Sequence, residues 1–255
     1  MKLITDIGNS NIVVGIFYNN RWEHIWRIVT DKNADIHHYS LKLNNLLFEA
    51  GIDLKQINQK VMSSVVPELT EVFFEVLDNL NDAPNILLNR NLFDKLNITI
   101  TNPQEIGTDL VANVLASHTL YAKNMIIIDF GTALTFTVVD KTGIIKGINI
   151  VPGIKTAIKS LGDNTSQLDA VPLQLPKNIL GQNTIEAIQN GILLGYVGLI
   201  SYMIDTIKNT YGQDYKVLIT GGLSLILKEK LPMIDYYNKD LTLFGIMEAG
   251  KQISV

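Results

Sequence analysis

Residues 125–140 read MIIIDFGTALTFTVVD: an apolar run that stops at Asp129, a small turn at Gly131 and Thr132, and a second β-rich run. An unbroken apolar run ending in Asp, one apolar residue and Gly marks a strand whose end carries a carboxylate at the mouth of a turn. The chain opens in the same way. Residues 4–17, ITDIGNSNIVVGIF, give a strand ending at Asp6, a turn of Gly8, Asn9, Ser10 and Asn11, and a strand beyond it. A plain hairpin needs only two turn residues, typically Asn-Gly or Asp-Gly. A carboxylate with four small or polar residues exceeds that need. It suits a loop whose N–H groups and carboxylate face an anion and its metal. Aligned copy on copy, Asp129, Gly131, Thr132 and Thr135 take the places of Asp6, Gly8, Asn9 and Ile12.

Two copies of one unusual turn, about half a chain apart, point to a duplicated α/β domain. The halves are expected at residues 1–117 and 118–255, with the two Asp-containing turns facing each other across a central interdomain cleft, a favoured place for ligands. Around the first copy, strand signals cover 2–7, 12–18 and 22–29, and a helical pattern covers 37–50. The β-rich KVMSSVV at 60–66 leads to a helix over 67–79, then NILLN at 85–89 and a Pro-containing connection near Asn102-Pro103. Apolar spacing of three and four residues predicts a helix over 108–121. Neither G-x-x-x-x-G-K-[ST] nor G-x-G-x-x-G occurs, so a nucleotide here is held without a P-loop.

Composition narrows the classes. The chain has 255 residues, 47% apolar and 18% charged, with a net charge of −4, which fits a globular protein with a well-filled core. The arginines are Arg21, Arg27 and Arg90, so no basic stripe exists to meet nucleic acid. There are no cysteines, which removes disulfides, thiolate nucleophiles and Cys-based zinc sites. The opening MKLITDIGNS reaches Asp6 too soon for a signal peptide. The apolar run Gly191–Ile200 reads as too short to span a bilayer, and a cytoplasmic location follows by default.

In order and spacing these motifs resemble the type III pantothenate kinases, within the superfamily of actin-like ATPases and sugar kinases. Asp6-Ile7-Gly8-Asn9-Ser10 is similar to the family's first phosphate motif, D-x-G-N-[ST]. Asp129 to Thr135 is similar to the second, D-x-G-T-A-x-T. SSVVP at 63–67, GINIVPG at 147–153, GQNTIEAIQNG at 181–191 and ITGGLS at 219–224 extend the likeness along nearly the whole chain.

The resemblance implies duplicated ribonuclease-H-like domains, ATP as phosphate donor and pantothenate as acceptor. It also implies Mg²⁺, a monovalent cation (K⁺ or NH₄⁺) and a homodimer. It puts Asp6 on the metal, and Asp129 on the same Mg²⁺ or on the monovalent cation. Thr132 and the amides around Gly8, Asn9, Ser10 and Gly131 then hold phosphate oxygens, and Gly221 and Gly222 approach the adenosine. In EIGTDLVAN, residues 105–113, Asp109 becomes the general base for the pantothenate hydroxyl, with Gly107 and Thr108 in the acceptor pocket. Thr184 touches pantothenate, also from a neighbouring subunit, besides capping its helix.

The chain departs from the family at two acceptor positions. Where the motif G-x-D-R has arginine, this chain has Leu110, and the position of the family's tyrosine holds Ile100. Losing a guanidinium fork is not conservative and bears on acceptor affinity and identity. Two rivals follow: a weakened relative acting as a transcriptional accessory protein, and a kinase of another small hydroxyl compound. Three further features read as structure. The adjacent His37 and His38 do not share a helix face. Gly191, Gly195 and Gly198 suit close helix packing, such as a dimer contact. LPMIDYYNKDLTLFG, residues 231–245, reads as a polar loop leading to a docking segment.

Overall fold

The structure, a computed structural model, describes residues 1–163, 171–175 and 178–254. The chain begins with strands β1 (Lys2–Ile7), β2 (Asn11–Tyr18) and β3 (Arg21–Val29), followed by helix α1 (Ile36–Glu49). Then come β4 (Gln59–Ser64), α2 (Pro67–Asp78), β5 (Asn85–Leu87), a 3₁₀ segment at Arg90–Lys95 and α3 (Thr108–Tyr121). The second sheet supplies β6 (Met125–Phe130), β7 (Ala133–Val139) and β8 (Ile145–Pro152), followed by α4 (Ile154–Asp163) and α5 (Thr184–Gln189). The remainder is α6 (Gly195–Tyr211), β9 (Lys216–Thr220), α7 (Ser224–Lys228), β10 (Tyr236–Tyr237) and α8 (Leu241–Ile253).

Two sheets of five strands share one topology: β3-β2-β1-β4-β5 and, in the same sense, β8-β7-β6-β9-β10. In each, the first strand pairs antiparallel with the second and parallel with the fourth. This order, present twice, is the duplicated ribonuclease-H-like arrangement that the repeated turns predict.

By contacts the chain divides into Met1–Leu120 with Leu241–Val255, and Tyr121–Asp240. The division expected at 117/118 gave the last residues to the second half. They lie with the first because α8 lays Leu243, Ile246 and Met247 on Ile4, Val13 and Val61 of the first sheet. The polar loop read over 231–245 likewise contains β10 and the start of α8.

Alternation along β1 explains how the first unit is built. Leu3 and Ile7 point to one face, where Tyr39, Leu43 and Leu47 of α1 and Leu69, Phe73 and Leu77 of α2 close a core. Ile4 points to the other face, toward α3 and α8, and Asp6 has the same parity. A Cβ on Gly245 of α8 would run into the backbone of Ala112 of α3, so these two helices meet nearly backbone to backbone. Thr242 Oγ1 donates to Asn113 Oδ1 at 2.8 Å across the same contact.

In the second unit Ile126, Ile128 and Phe130 of β6 alternate into a core with Ile200, Ile204 and Ile207 of α6. The Gly191–Ile200 run, expected to be too short for a bilayer, belongs to a continuous helix over Thr184–Tyr211. That helix has 28 residues and an 18-residue window of mean hydropathy 1.4, enough to cross a membrane by length and composition. A one-turn π segment at Asn190–Leu194 joins α5 to α6 within it.

The α3–α8 contact gives a direct test. Gly245→Ala is expected to lower stability by about 1–3 kcal/mol, because its Cβ meets backbone that cannot rotate away. Gly222→Ala, with nothing within 4 Å of the new Cβ, is expected to change it far less. Urea midpoints of the two variants check this.

Candidate active site

Asp6 is the next-to-last residue of the central strand β1. It stands opposite Val13 in the antiparallel pair with β2 and beside Ser63 in the parallel pair with β4. The Gly8 N–H closes the turn that follows by donating to the Asn11 carbonyl at 3.0 Å. The end of β3 holds the turn from the side: Thr30 Oγ1 donates to the Gly8 carbonyl at 2.7 Å, and the Thr30 N–H to the Ser10 carbonyl at 3.2 Å. Asn9, Ser10 and Asn11 are exposed at the tip.

The second turn is built alike. Asp129 is the next-to-last residue of β6, flanked by Thr135 on β7 and Thr220 on β9. The Gly131 N–H donates to the Ala133 carbonyl at 3.0 Å. Here the clamp is the corner after β8, where the Gly153 N–H and Thr156 Oγ1 donate to the Thr132 carbonyl at 2.9 and 2.7 Å. A Cβ at Gly153 would collide with the carbonyls of Gly131 and Thr132, so only glycine lets this corner reach the turn. Gly221 has φ +90°, and a Cβ there would stand 2.6 Å from Asp129 Oδ1. Gly222 beside it borders open space.

These geometries correct two expectations. Thr135 is the counterpart of Val13 rather than Ile12, because the first turn is one residue longer. The Gly8 and Gly131 N–H groups, expected on phosphate oxygens, each close their own hairpin.

On the acceptor side, the hydroxyls of SSVVP tie α3 to the first sheet. Ser63 Oγ donates to Thr108 Oγ1 at 2.8 Å, and Thr108 Oγ1 to the Ser64 carbonyl at 3.3 Å. Ser63 is Asp6's neighbour in the sheet, so the start of α3 is fixed next to the end of β1. The Gly107 carbonyl accepts the first helical bond from the Val111 N–H at 3.1 Å, which makes Asp109 the second helical residue rather than the cap. Asp109 Oδ1 accepts from the Leu110 N–H at 2.8 Å. The carboxylate lies over Gly107, where any Cβ would collide with it. Burial pushes the Asp109 carboxyl above the usual carboxylate range, against the smaller opposing effect of its backbone hydrogen bonds.

Gly107 and Thr108 also line a pocket of about 630 Å³ in the same unit. It opens at the carboxyl ends of β4 and β5, the side of an open α/β sheet where ligands bind. Val65, Leu88 and Ile106 give it apolar walls, and Thr70, Asn89 and Arg90 give it polar ones. Arg90 Nη1 donates to Gln104 Oε1 at 3.2 Å.

The first unit thus brings together Asp6, Gly8, Asn9, Ser10, Gly107, Thr108 and Asp109, and the second brings together Asp129, Gly131, Thr132 and Gly221. Gly222 follows directly, while Thr184 is the exposed first residue of α5. Its helix is capped by Asn183, whose Oδ1 accepts from the Glu186 N–H at 2.9 Å, and not by Thr184 as expected. Leu110 is 8% exposed and offers the site its backbone N–H. Ile100 is half-buried and outside the pocket's described lining. Thr30, Ser63, Gly153 and Thr156 were missed by sequence reasoning. The hydroxyls of SSVVP and the glycine of GINIVPG were the available signals.

The residues fit a hard cation. Among the described residues no three His, Asp or Glu side chains gather as a self-sufficient metal cage. Mg²⁺ suits that arrangement, since it binds through one or two carboxylates while water and phosphate supply the rest. Beside Asp129, Thr135 Oγ1 is buried without a hydrogen-bond partner among the described residues, an oxygen suited to a cation.

A family model described as type III pantothenate kinase matches residues 2–206. A type III pantothenate kinase of Hyphomonas neptunium is 31% identical over 253 residues, covering 99% of both chains. Among solved structures, a Campylobacter jejuni protein of the Baf family superposes with a TM-score of 0.60 at 22% identity, covering 98% of each chain. An activator of 2-hydroxyisocaproyl-CoA dehydratase from Clostridium difficile, with bound ADPNP, superposes with a TM-score of 0.58 at 13% identity, covering 99% of this chain and 94% of that one. At these identities the two structures share the fold with this chain.

The raised pKa of Asp109 carries a stability consequence with a definite sign. The folded protein holds this proton more tightly than the unfolded chain does. The resulting stabilisation is full below the ordinary carboxylate range and is lost as pH rises through the raised value. Above that pH the buried charge opposes folding. Asp109→Asn keeps the bond from Leu110 and removes the charge, so its melting temperature is expected to equal or exceed that of the native protein at pH 8. The difference should shrink toward pH 4, as melting curves at the two pH values will show.

Proposed function

We infer the reaction from one premise: the chain belongs to the type III pantothenate kinase family. It transfers the γ-phosphoryl group of ATP to the terminal hydroxyl of pantothenate, giving ADP and 4′-phosphopantothenate, the first step toward coenzyme A. The observation that carries this reading is the placement of Asp109. The residue is half-buried, desolvation raises the pKa of its carboxyl, and the Ser63–Thr108 hydrogen bond fixes the start of its helix beside the strand that bears Asp6.

In this reading Asp109 accepts the proton of the pantothenate hydroxyl as the oxygen bonds to the γ-phosphorus. The bond from that phosphorus to the bridging oxygen breaks, and the electron pair leaves with ADP. Asn9, Ser10 and Thr132 meet phosphate oxygens from their turns, and Gly221 and Gly222 border the adenosine. Asp6 is assigned to Mg²⁺, which supplies charge neutralisation on the phosphates when bound. Asp129, with Thr135 Oγ1, is assigned to K⁺ or NH₄⁺. Gly107, Thr108, Ile100, Leu110 and Thr184 remain on the acceptor side by family resemblance.

The protein works as a homodimer in the cytoplasm. Gly191, Gly195 and Gly198 have nothing within 4 Å of where their Cβ atoms would stand, and Tyr202, on the same helical stripe, is 70% exposed. A helix face of small residues ending in an exposed aromatic suits close contact with a second copy. The scarcity of arginine and the net charge of −4 speak against a nucleic-acid partner.

Purified protein with ATP, Mg²⁺ and K⁺ is expected to phosphorylate pantothenate; absence of product across varied monovalent cations would overturn the reading. Asp109→Asn is expected to lower kcat by about 10²–10⁴, the usual worth of a general base, while nucleotide binding holds. Near-normal turnover would return Asp109 to a structural role. The kcat/KM of the native enzyme should fall on the acid side with an inflection above the ordinary carboxylate range. Sedimentation at micromolar concentration should show a dimer, and Tyr202→Glu should shift it toward monomer.

A further inference from the structure

We propose that Arg90 binds the carboxylate of the acceptor. The proposal rests on the pantothenate kinase reading above and assigns a residue that neither the family motifs nor the two Asp turns point to. Pantothenate carries the hydroxyl to be phosphorylated at one end and a carboxylate at the other, with a dimethyl-substituted carbon next to the reacting end. A site for it needs a base, an apolar wall and a cation in sequence.

The wall of the pocket in the first unit offers these parts. Asp109 Oδ1 lies over Gly107, which is part of the pocket lining. Val65, whose Cγ1 would lie 3.7 Å from a Cβ on Gly107, and Ile106, the residue before Gly107, suit the methyl groups. Arg90 is the one cationic side chain among the pocket's described lining residues, and Asn89 and Asn91 flank it. At about 630 Å³ the pocket lies within the range of small-molecule sites. Leu110 is buried and offers no charge, so the acceptor's carboxylate would otherwise enter a site whose other charged lining residue is Glu105.

The guanidinium is also held where it can act. Arg90 opens the 3₁₀ segment, and Asn89 Oδ1 anchors that segment's start by accepting from the Asn91 N–H at 3.0 Å. Gln104 Oε1 takes one guanidinium donor at 3.2 Å, and a guanidinium has five N–H donors in a planar fork that matches a carboxylate. An oriented arginine with donors to spare at the pocket wall fits bidentate capture of an anion.

The test is a double-substitution cycle on enzyme and substrate, with pantothenol as the probe that keeps the hydroxyl and replaces the carboxylate with an alcohol. Arg90→Gln is expected to raise KM for pantothenate by about 10–100-fold, the loss of a charge-assisted pair, with kcat changed far less. The native enzyme with pantothenol should show a similar rise, and Arg90→Gln with pantothenol should add little beyond either change alone. Arg90→Lys should recover part of the affinity. Native KM for pantothenate in Arg90→Gln would overturn the proposal. So would an equal effect of the substitution on both substrates, which would mean that Arg90 acts through the fold. A native enzyme that converts neither substrate would overturn the kinase reading itself, and this inference with it. Arg90 is exposed and bonded to Gln104, so an unchanged melting temperature is the control for folding.

Discussion

Each sheet's central strand has an antiparallel neighbour on one side and a parallel neighbour on the other, and the position of every polar group in the candidate site follows from that. On the antiparallel side the chain must return at once, so the strand's end becomes a tight turn. On the parallel side the partner strand ends at the same edge and its chain leaves into a helix or a glycine turn. A carboxylate placed next to last on the central strand is therefore bordered by a turn on one flank and by a hydroxyl residue on the other. For Asp6 that residue is Ser63, and for Asp129 it is Thr220. A sheet of one strand sense throughout would not place turn, carboxylate and strand end together.

The turns themselves are held by their neighbours rather than by their own sequence. Each closes with one glycine N–H bond, which leaves a short loop free to tilt. The end of the third strand removes that freedom, through Thr30 in one unit and through Gly153 and Thr156 in the other. Tying the carbonyls back fixes the direction of the peptide groups that remain at the tip. This is preorganisation: dipoles fixed before an anion arrives need not reorganise when it does.

Asp109 shows the same principle working against stability. A half-buried carboxylate with no cation to pair with among the described residues is a poor element of a fold, and its desolvation raises its pKa for that reason. Gly107, lacking a Cβ, leaves the space the carboxylate occupies, and the Ser63–Thr108 bond holds the start of its helix to the sheet. The nearly backbone-to-backbone contact of α3 with α8 anchors the helix that carries it, so the strain of one residue is borne by a well-packed element.

The duplicated turns and the carboxylates Asp6 and Asp129 at their mouths could be read from the residues, because spacing along a strand is a local property, whereas the choice of Asp109 came from the family resemblance alone. Composition likewise fixed that only three arginines, Arg21, Arg27 and Arg90, are on hand to meet an anion. The sequence could not show that α8 belongs with the first sheet, since the pairing of Gly245 with Ala112 is a contact between distant segments. Nor could it show that the first turn is one residue longer than the second, which cross-strand register alone reveals. The same holds for Ser63 reaching Thr108, and for Arg90 joining Gly107 and Thr108 in the wall of one pocket. Local periodicity specifies which residues share a face, while only chain folding decides which faces meet.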